Sequence, residues 1–119
     1  MATVNDIYAF LNDLAPVRYQ MDFDNAGFLV GDGSTAVERV LLALDITNEV
    51  LALARNGIAA ICMHTNLDIA DGGVNDALMA ALGAEVTGGL EPSGTADDGS
   101  ALTCGRVGRL LEPMALSGF

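Results

Sequence analysis

Apolar residues recur at helical spacing from the start of the chain: Val4, Ile7, Tyr8, Leu11 and Leu14 draw one stripe along a helix. Thr3, with Asp6 three residues on, supplies an N-cap and a capping-box-like partner, and Pro16 stops the helix. No basic residues stand opposite the stripe, so it reads as a core face and not as a membrane-surface helix. Beyond the turn Asp24-Asn25-Ala26-Gly27, Phe28-Leu29-Val30 runs into Gly31-Asp32-Gly33-Ser34. That is a short strand bounded by turns.

The stretch Val37 through Leu44 contains the nearly continuous run Val40-Leu41-Leu42-Ala43-Leu44, the pattern of a central strand buried on both faces. Asp45 ends it. Thr47 then caps a helix over about Asn48 to Arg55, with Glu49 in its first turn and Gly57 as its stop. Ile58 to Met63 is a second buried-strand candidate, and the order strand, helix, strand predicts a parallel βαβ unit. A loop from His64 to Gly73 follows, then a helical stripe of Val74, Ala77, Leu78, Ala81 and Leu82 ending at Gly83. Gly88-Gly89, Pro92-Ser93-Gly94 and Asp97-Asp98-Gly99-Ser100 are turn chemistry, so residues 88–100 read as a loop. Ala101 to Leu111 forms a strand or two. The pattern predicts a single α/β domain over residues 1–119, its small, mostly parallel sheet flanked by helices.

Composition tempers that picture. Hydrophobic residues make up 51% of the chain and mean hydropathy is +0.41, but much of this is alanine, only 5% is aromatic and Trp is absent. The expected core is modest. Sixteen acidic residues face five arginines, with no lysine and a net charge of −11. Such a field repels phosphate backbones and argues against a nucleic-acid partner. It would draw divalent cations in a general way, but a solvated acidic surface is the simpler reading. Cys62 and Cys104 form no CxxC spacing, and a reduced, cytoplasmic protein is the simpler reading of the pair. Asn5, Asp6, Asn12 and Asp13 interrupt the first apolar stretch, which excludes it as a secretory leader, and no apolar run is long enough to span a bilayer.

In a parallel sheet, ligands gather beyond the carboxyl ends of the strands. The two predicted strands end at Asp45 and His64, which would bring Asp45, His64, Asn66 and Asp68 into one neighbourhood. Imidazole nitrogen and carboxylate oxygen suit zinc, manganese or iron. His64 is the sole histidine, so a three-histidine zinc site is excluded within one chain. A structural role fits the same residues: the Asp caps a turn and the His satisfies a carbonyl. No Walker A segment or GxGxxG follows a strand, and Ser34, Ser93, Ser100 and Ser117 lack a nucleophile-elbow context. Asp71-Gly72-Gly73 reads as the turn into a helix, whose amides could also hold an anion.

Five stretches taken in order resemble the GTP cyclohydrolase 1 type 2 homologue family, proteins with a dinuclear metal centre that are often hexameric. Asp24-Asn25-Ala26-Gly27-Phe28-Leu29-Val30-Gly31 is similar to the DNxG segment near that family's start. Val40-Leu41-Leu42-Ala43-Leu44-Asp45-Ile46-Thr47 resembles its next strand and helix cap. His64-Thr65-Asn66-Leu67-Asp68 matches its HTNLD motif residue for residue, and Gly72-Gly73-Val74-Asn75-Asp76-Ala77-Leu78 resembles the helix that follows. Cys104-Gly105-Arg106-Val107-Gly108-Arg109-Leu110 with Glu112-Pro113-Met114 resembles the segment closing that half.

The resemblance implies a divalent-metal-binding protein with hydrolase-like or GTP cyclohydrolase-like parentage, a small-molecule substrate and self-association. It carries over Asp68 as a metal ligand and places His64 beside the metals. The paired-histidine motif that the family carries between the Asn48–Arg55 helix and HTNLD is missing, as is the second half with its further His and Glu. The metal site is therefore expected to be incomplete and the chain to have little activity alone. A non-catalytic assembly module, or a partial chain needing its second half, are the alternatives.

Overall fold

Thr3 opens the first helix as its side chain requires. In the computed structural model, which describes residues 1–43, 52, 56–115 and 117, helix α1 runs over Val4–Leu14. Asp6 N–H donates to Thr3 Oγ1 at 3.2 Å and Thr3 N–H donates to the Asp6 carboxylate at 2.8 Å, a reciprocal capping box. Two more amides of the first turn are satisfied from outside: Val4 N–H donates to the Thr35 carbonyl (3.0 Å) and Asn5 N–H to that of Gly33 (2.9 Å). The helix ends at Ala15, ahead of Pro16, and a 3-10 turn over Val17–Tyr19 carries the chain onward.

Strand β1 (Gly27–Val30) pairs with β2 (Ala60–Cys62), Gly27 opposite Cys62 and Phe28 opposite Ile61, with a bulge before Val30. Gly31 leaves β1 at φ 122°, and a Cβ there would lie 2.6 Å from Ala59 Cα, so both backbone and space demand glycine. The pairing is antiparallel, which corrects the expectation of a mostly parallel sheet. The cause lies in the run expected as the central strand. Residues 37–43 adopt no strand, and Val40, Leu41 and Leu42 are 65%, 71% and 89% exposed. With no parallel neighbour from that run, β2 takes β1 as its partner. Leu44, Asp45 and most of the helix expected over Asn48 to Arg55 lie outside the described residues; Ala52 is described, and it is helical.

The stretch expected as a loop from His64 begins instead with a five-residue helix, α2 (Thr65–Ile69), for which His64 is the N-cap residue. Helix α3 (Val74–Ala81) follows as its stripe predicts. The largest departure comes next. Residues 88–95, expected as loop, belong to strand β3 (Ala84–Thr95), which pairs antiparallel with β4 (Ala101–Leu110). Register shifts between Val86 and Gly88 and between Pro92 and Gly94 let the ladder absorb residues that would break a regular strand. Gly89 sits opposite Arg106, where a Cβ would collide with the Thr103 side chain. The hairpin turn falls on Asp97-Asp98-Gly99, as the sequence indicates.

The core is as modest as the composition implies. Among the described residues the enclosed apolar side chains are Val4, Ala15, Ile69 and Ala70, joined by polar Thr65 and Asn66. Val4 is enclosed at the start of α1, whereas Ala15 meets Asn66 of α2 where the chain leaves α1, so most of the best-buried residues lie in and beside the HTNLD segment. No helix among the described residues is long and apolar enough to cross a membrane.

Candidate functional site

A five-residue helix is too short to hold its own shape in water, because nucleation costs more than one turn returns. Helix α2 is fixed by neighbours at both ends. At its start, the Asp24 carboxylate accepts from Thr65 N–H (2.9 Å) and Thr65 O–H (2.5 Å) at Oδ2, and from Asn25 N–H (2.7 Å) at Oδ1. His64 Nδ1 lies 2.9 Å from the same Oδ2. The Thr65 hydroxyl in turn accepts from Met21 N–H at 2.9 Å, so it is used in both directions. Burial of Asp24, whose side chain is 8% exposed, would by itself raise its pKa. The Thr65 hydroxyl and amide, with His64 and the Asn25 amide, outweigh burial and hold the carboxyl far below the usual carboxylate range.

An ionised carboxylate only accepts, so the His64 nitrogen turned towards it carries the proton. In the neutral ring Nε2 keeps its lone pair, on a side chain that is 58% exposed. This is the arrangement by which a carboxylate orients a metal-binding or proton-accepting imidazole. Asn66, fully buried, secures the same corner: its Oδ1 accepts from His64 N–H (2.8 Å) and its Nδ2 donates to the Ala15 carbonyl (2.7 Å).

Asp68 lies one helical turn beyond His64, its N–H directed to the His64 carbonyl at 3.4 Å. It is half-buried, and among the described residues nothing donates to its carboxylate; its backbone carbonyl accepts from Asn75 Nδ2 at 2.8 Å. The far end of α2 is held by Arg106 of β4, whose side chain is 6% exposed. Arg106 Nη2 donates to the carbonyls of Ile69 (3.3 Å) and Ala70 (3.2 Å), and its Nε and Nη2 fork onto Asp76 at 2.7 and 3.3 Å. Asp76 also accepts from Gly72 N–H at 2.6 Å. Arg106 first, with the Gly72 amide, lowers the Asp76 pKa against the opposing effect of burial. The turn at Asp71-Gly72-Gly73 is thus satisfied internally: Asp76 takes the Gly72 amide and the Ala70 carbonyl takes that of Gly73. It is not an open anion cradle.

Of the residues expected to converge, the structure joins His64 and Asn66 by a hydrogen bond and sets Asp68 one turn away. Asp45 lies outside the described residues, so its place at the sheet edge beside His64 is not described. The sequence pattern assigns no site role to Asp24 or Arg106. Both sit inside the quoted motifs, and Arg106 is one of only five cations in a strongly acidic chain, which was the available signal. The donors at hand, an outward imidazole nitrogen and an unpartnered carboxylate, suit one borderline cation in open coordination. They do not fit a closed two-metal centre, since no three His, Cys, Asp or Glu side chains come together among the described residues.

Comparison with known proteins agrees with the motif order. The model of the family described as Duf34/NIF3 (NGG1p interacting factor 3) matches residues 2–54 and 50–119, in two pieces. A Clostridium perfringens protein named GTP cyclohydrolase 1 type 2 homolog is 31% identical, across 67% of this chain and 44% of the relative. Its namesake from Clostridium acetobutylicum is 27% identical across 92% of this chain and 52% of its own length. That alignment runs to 145 positions against a chain of 119 residues, so the relative carries a few tens of positions that have no counterpart here. The two-piece match puts the missing segment near residues 50–54. The chain spans about half the length of these curated relatives. Among solved structures, the Staphylococcus aureus hypothetical protein SA1388 superposes with a TM-score of 0.64 at 26% identity, covering 76% of this chain and 42% of that one. With both pieces of the family model matched over nearly the whole chain, the protein belongs to the Duf34/NIF3 family.

Proposed function

We propose that the chain is a divalent-metal-binding member of its family with a half-site: one cation, zinc, manganese or iron, held by His64 Nε2 and Asp68, and little hydrolytic activity of its own. The observation that supports this reading is the Asp24–His64 contact at 2.9 Å, which engages Nδ1 of an exposed imidazole and leaves Nε2 for a ligand, one helical turn along the chain from the unpartnered Asp68 carboxylate. A bound divalent ion would supply Lewis acidity and lower the pKa of a water it carries. Asp24 sets the imidazole's tautomer and direction, and Asp68 offers an anionic oxygen. Two protein donors leave the ion mostly solvated, which makes binding weak. Relatives named GTP cyclohydrolase 1 type 2 homolog are about twice as long, and their name suggests a nucleotide-like small-molecule substrate for the whole assembly. Calorimetry with zinc or manganese should show at most one weak event per chain. Two tightly bound ions per monomer would overturn the half-site.

A second reading is favoured by a separate observation. Leu42, Phe23, Leu41 and Phe10 are 89%, 81%, 71% and 68% exposed, more large apolar surface than a lone small protein usually leaves open. In this reading the chain is a self-associating assembly module.

A further inference from the structure

Helix α2 and its N-cap carry both proposed donors, and the hydrogen bond that closes the turn between them, from Asp68 N–H to the His64 carbonyl, is long at 3.4 Å. His64 is set by Asp24 at one end. Asp68 stands next to Ile69, whose carbonyl is held by Arg106 across 37 residues of sequence. The guanidinium reaches the neighbouring helix as well, through Asp76 in the first turn of α3, and Asn75 of that turn bonds the Asp68 carbonyl. Arg106 also anchors itself within β4, donating from Nη1 to the Thr103 carbonyl at 3.0 Å. One buried cation thus ties the hairpin, the end of α2 and the start of α3 at a single point.

We infer that Arg106 is a positioning residue for the cation half-site, fixing the Asp68 carboxylate relative to the His64 imidazole from the hairpin side. The inference rests on the half-site reading. A lysine at this position keeps the charge but presents one ammonium point, and cannot both fork onto Asp76 and reach the Ile69 and Ala70 carbonyls.

Titration of the 15N-labelled protein with manganese chloride tests this, reading the concentration that half-broadens the Asp68 amide signal and the His64 15N ring shifts. In Arg106→Lys that concentration should rise about tenfold, the usual effect of losing an outer-shell partner. The His64 ring shifts without manganese should stay as in the parent, because Asp24 and Thr65 are untouched. Asp68→Asn separates the two claims. If it leaves broadening around His64 and Asp68 unchanged, the half-site itself is refuted. If Asp68→Asn abolishes the broadening while Arg106→Lys, still dispersed in its amide spectrum, titrates like the parent, positioning by Arg106 is refuted and the half-site stands. Arg106→Gln serves as the second variant: with its amide dispersion kept, it should need at least as much manganese as Arg106→Lys, and a parent-like titration would refute positioning by Arg106. Altered His64 ring shifts in Arg106→Lys would mean a general loosening of the corner and would also overturn the inference.

Discussion

Replacing Asp24 by Asn tests whether one carboxylate holds the corner that carries the site. The substitution keeps shape and removes charge. Three donors converge on Oδ2 and a fourth meets Oδ1, so a carboxamide, with one oxygen and one NH2, must turn a donor towards a donor at one end. The side chain is 8% exposed, so water does little to repair the loss. Hydrogen bonds to a charged group contribute about 1.5–3 kcal/mol each and a stranded buried donor costs about 1–3, with strong overlap among neighbours, so the expected destabilisation is about 2–4 kcal/mol. For a chain of this size that corresponds to a thermal midpoint lower by roughly 10–20 °C. The assay is urea unfolding followed by circular dichroism, for parent and variant, from pH 7 downward. The folded carboxyl titrates below its unfolded counterpart, so on acidification the unfolded chain takes the proton first. Its contribution is complete above about pH 5 and is lost as pH falls through the ordinary carboxylate range near 4 and below. The difference between parent and variant should therefore shrink as pH falls below about 5. A difference under about 0.5 kcal/mol at pH 7, within the range of an ordinary surface substitution, would refute the reasoning. A gap that did not close in acid would do so too.

Other consequences follow from charge and exposed surface. With a net charge of −11, self-repulsion weakens the compact state, and the Debye length falls from about 10 Å at 0.1 M salt to about 3 Å at 1 M. The thermal midpoint should rise as sodium chloride approaches 1 M, and manganese at matched ionic strength should add little; a midpoint indifferent to salt that climbs steeply with manganese would contradict the half-site. Sedimentation velocity across a concentration series should show association that Leu41→Ser with Leu42→Ser reduces, because those two side chains are open to solvent. A parent that stays monomeric throughout would remove the assembly reading.

What the chain determines by itself is what neighbouring residues decide among themselves. Thr3 and Asp6 cap α1 across three residues, Pro16 excludes a further turn, and the Val74 stripe and the Asp97-Asp98-Gly99 turn fall where local chemistry puts them. The HTNLD motif was likewise legible, as was its likeness to the family to which the chain belongs. Orientation and partnership were not. Whether Ile58 to Met63 meets a parallel or an antiparallel neighbour depends on which other strand is available, and the exposed run Val40-Leu41-Leu42 joins no ladder among the described residues. The relatives carry additional sequence that has no counterpart here, near residues 50–54, and apolar periodicity alone does not register such a difference. Residues 88–95 look like loop by their glycines and proline, yet a facing strand and two bulges make them β3. The site was divided in the same way. His64 and Asp68 are named by their motif, whereas Asp24 meets Thr65 across 41 residues and Arg106 meets Ile69 across 37. Pairings at that separation follow no periodicity, because they exist only once packing has brought distant segments together and desolvated them enough for a single carboxylate or guanidinium to decide the geometry.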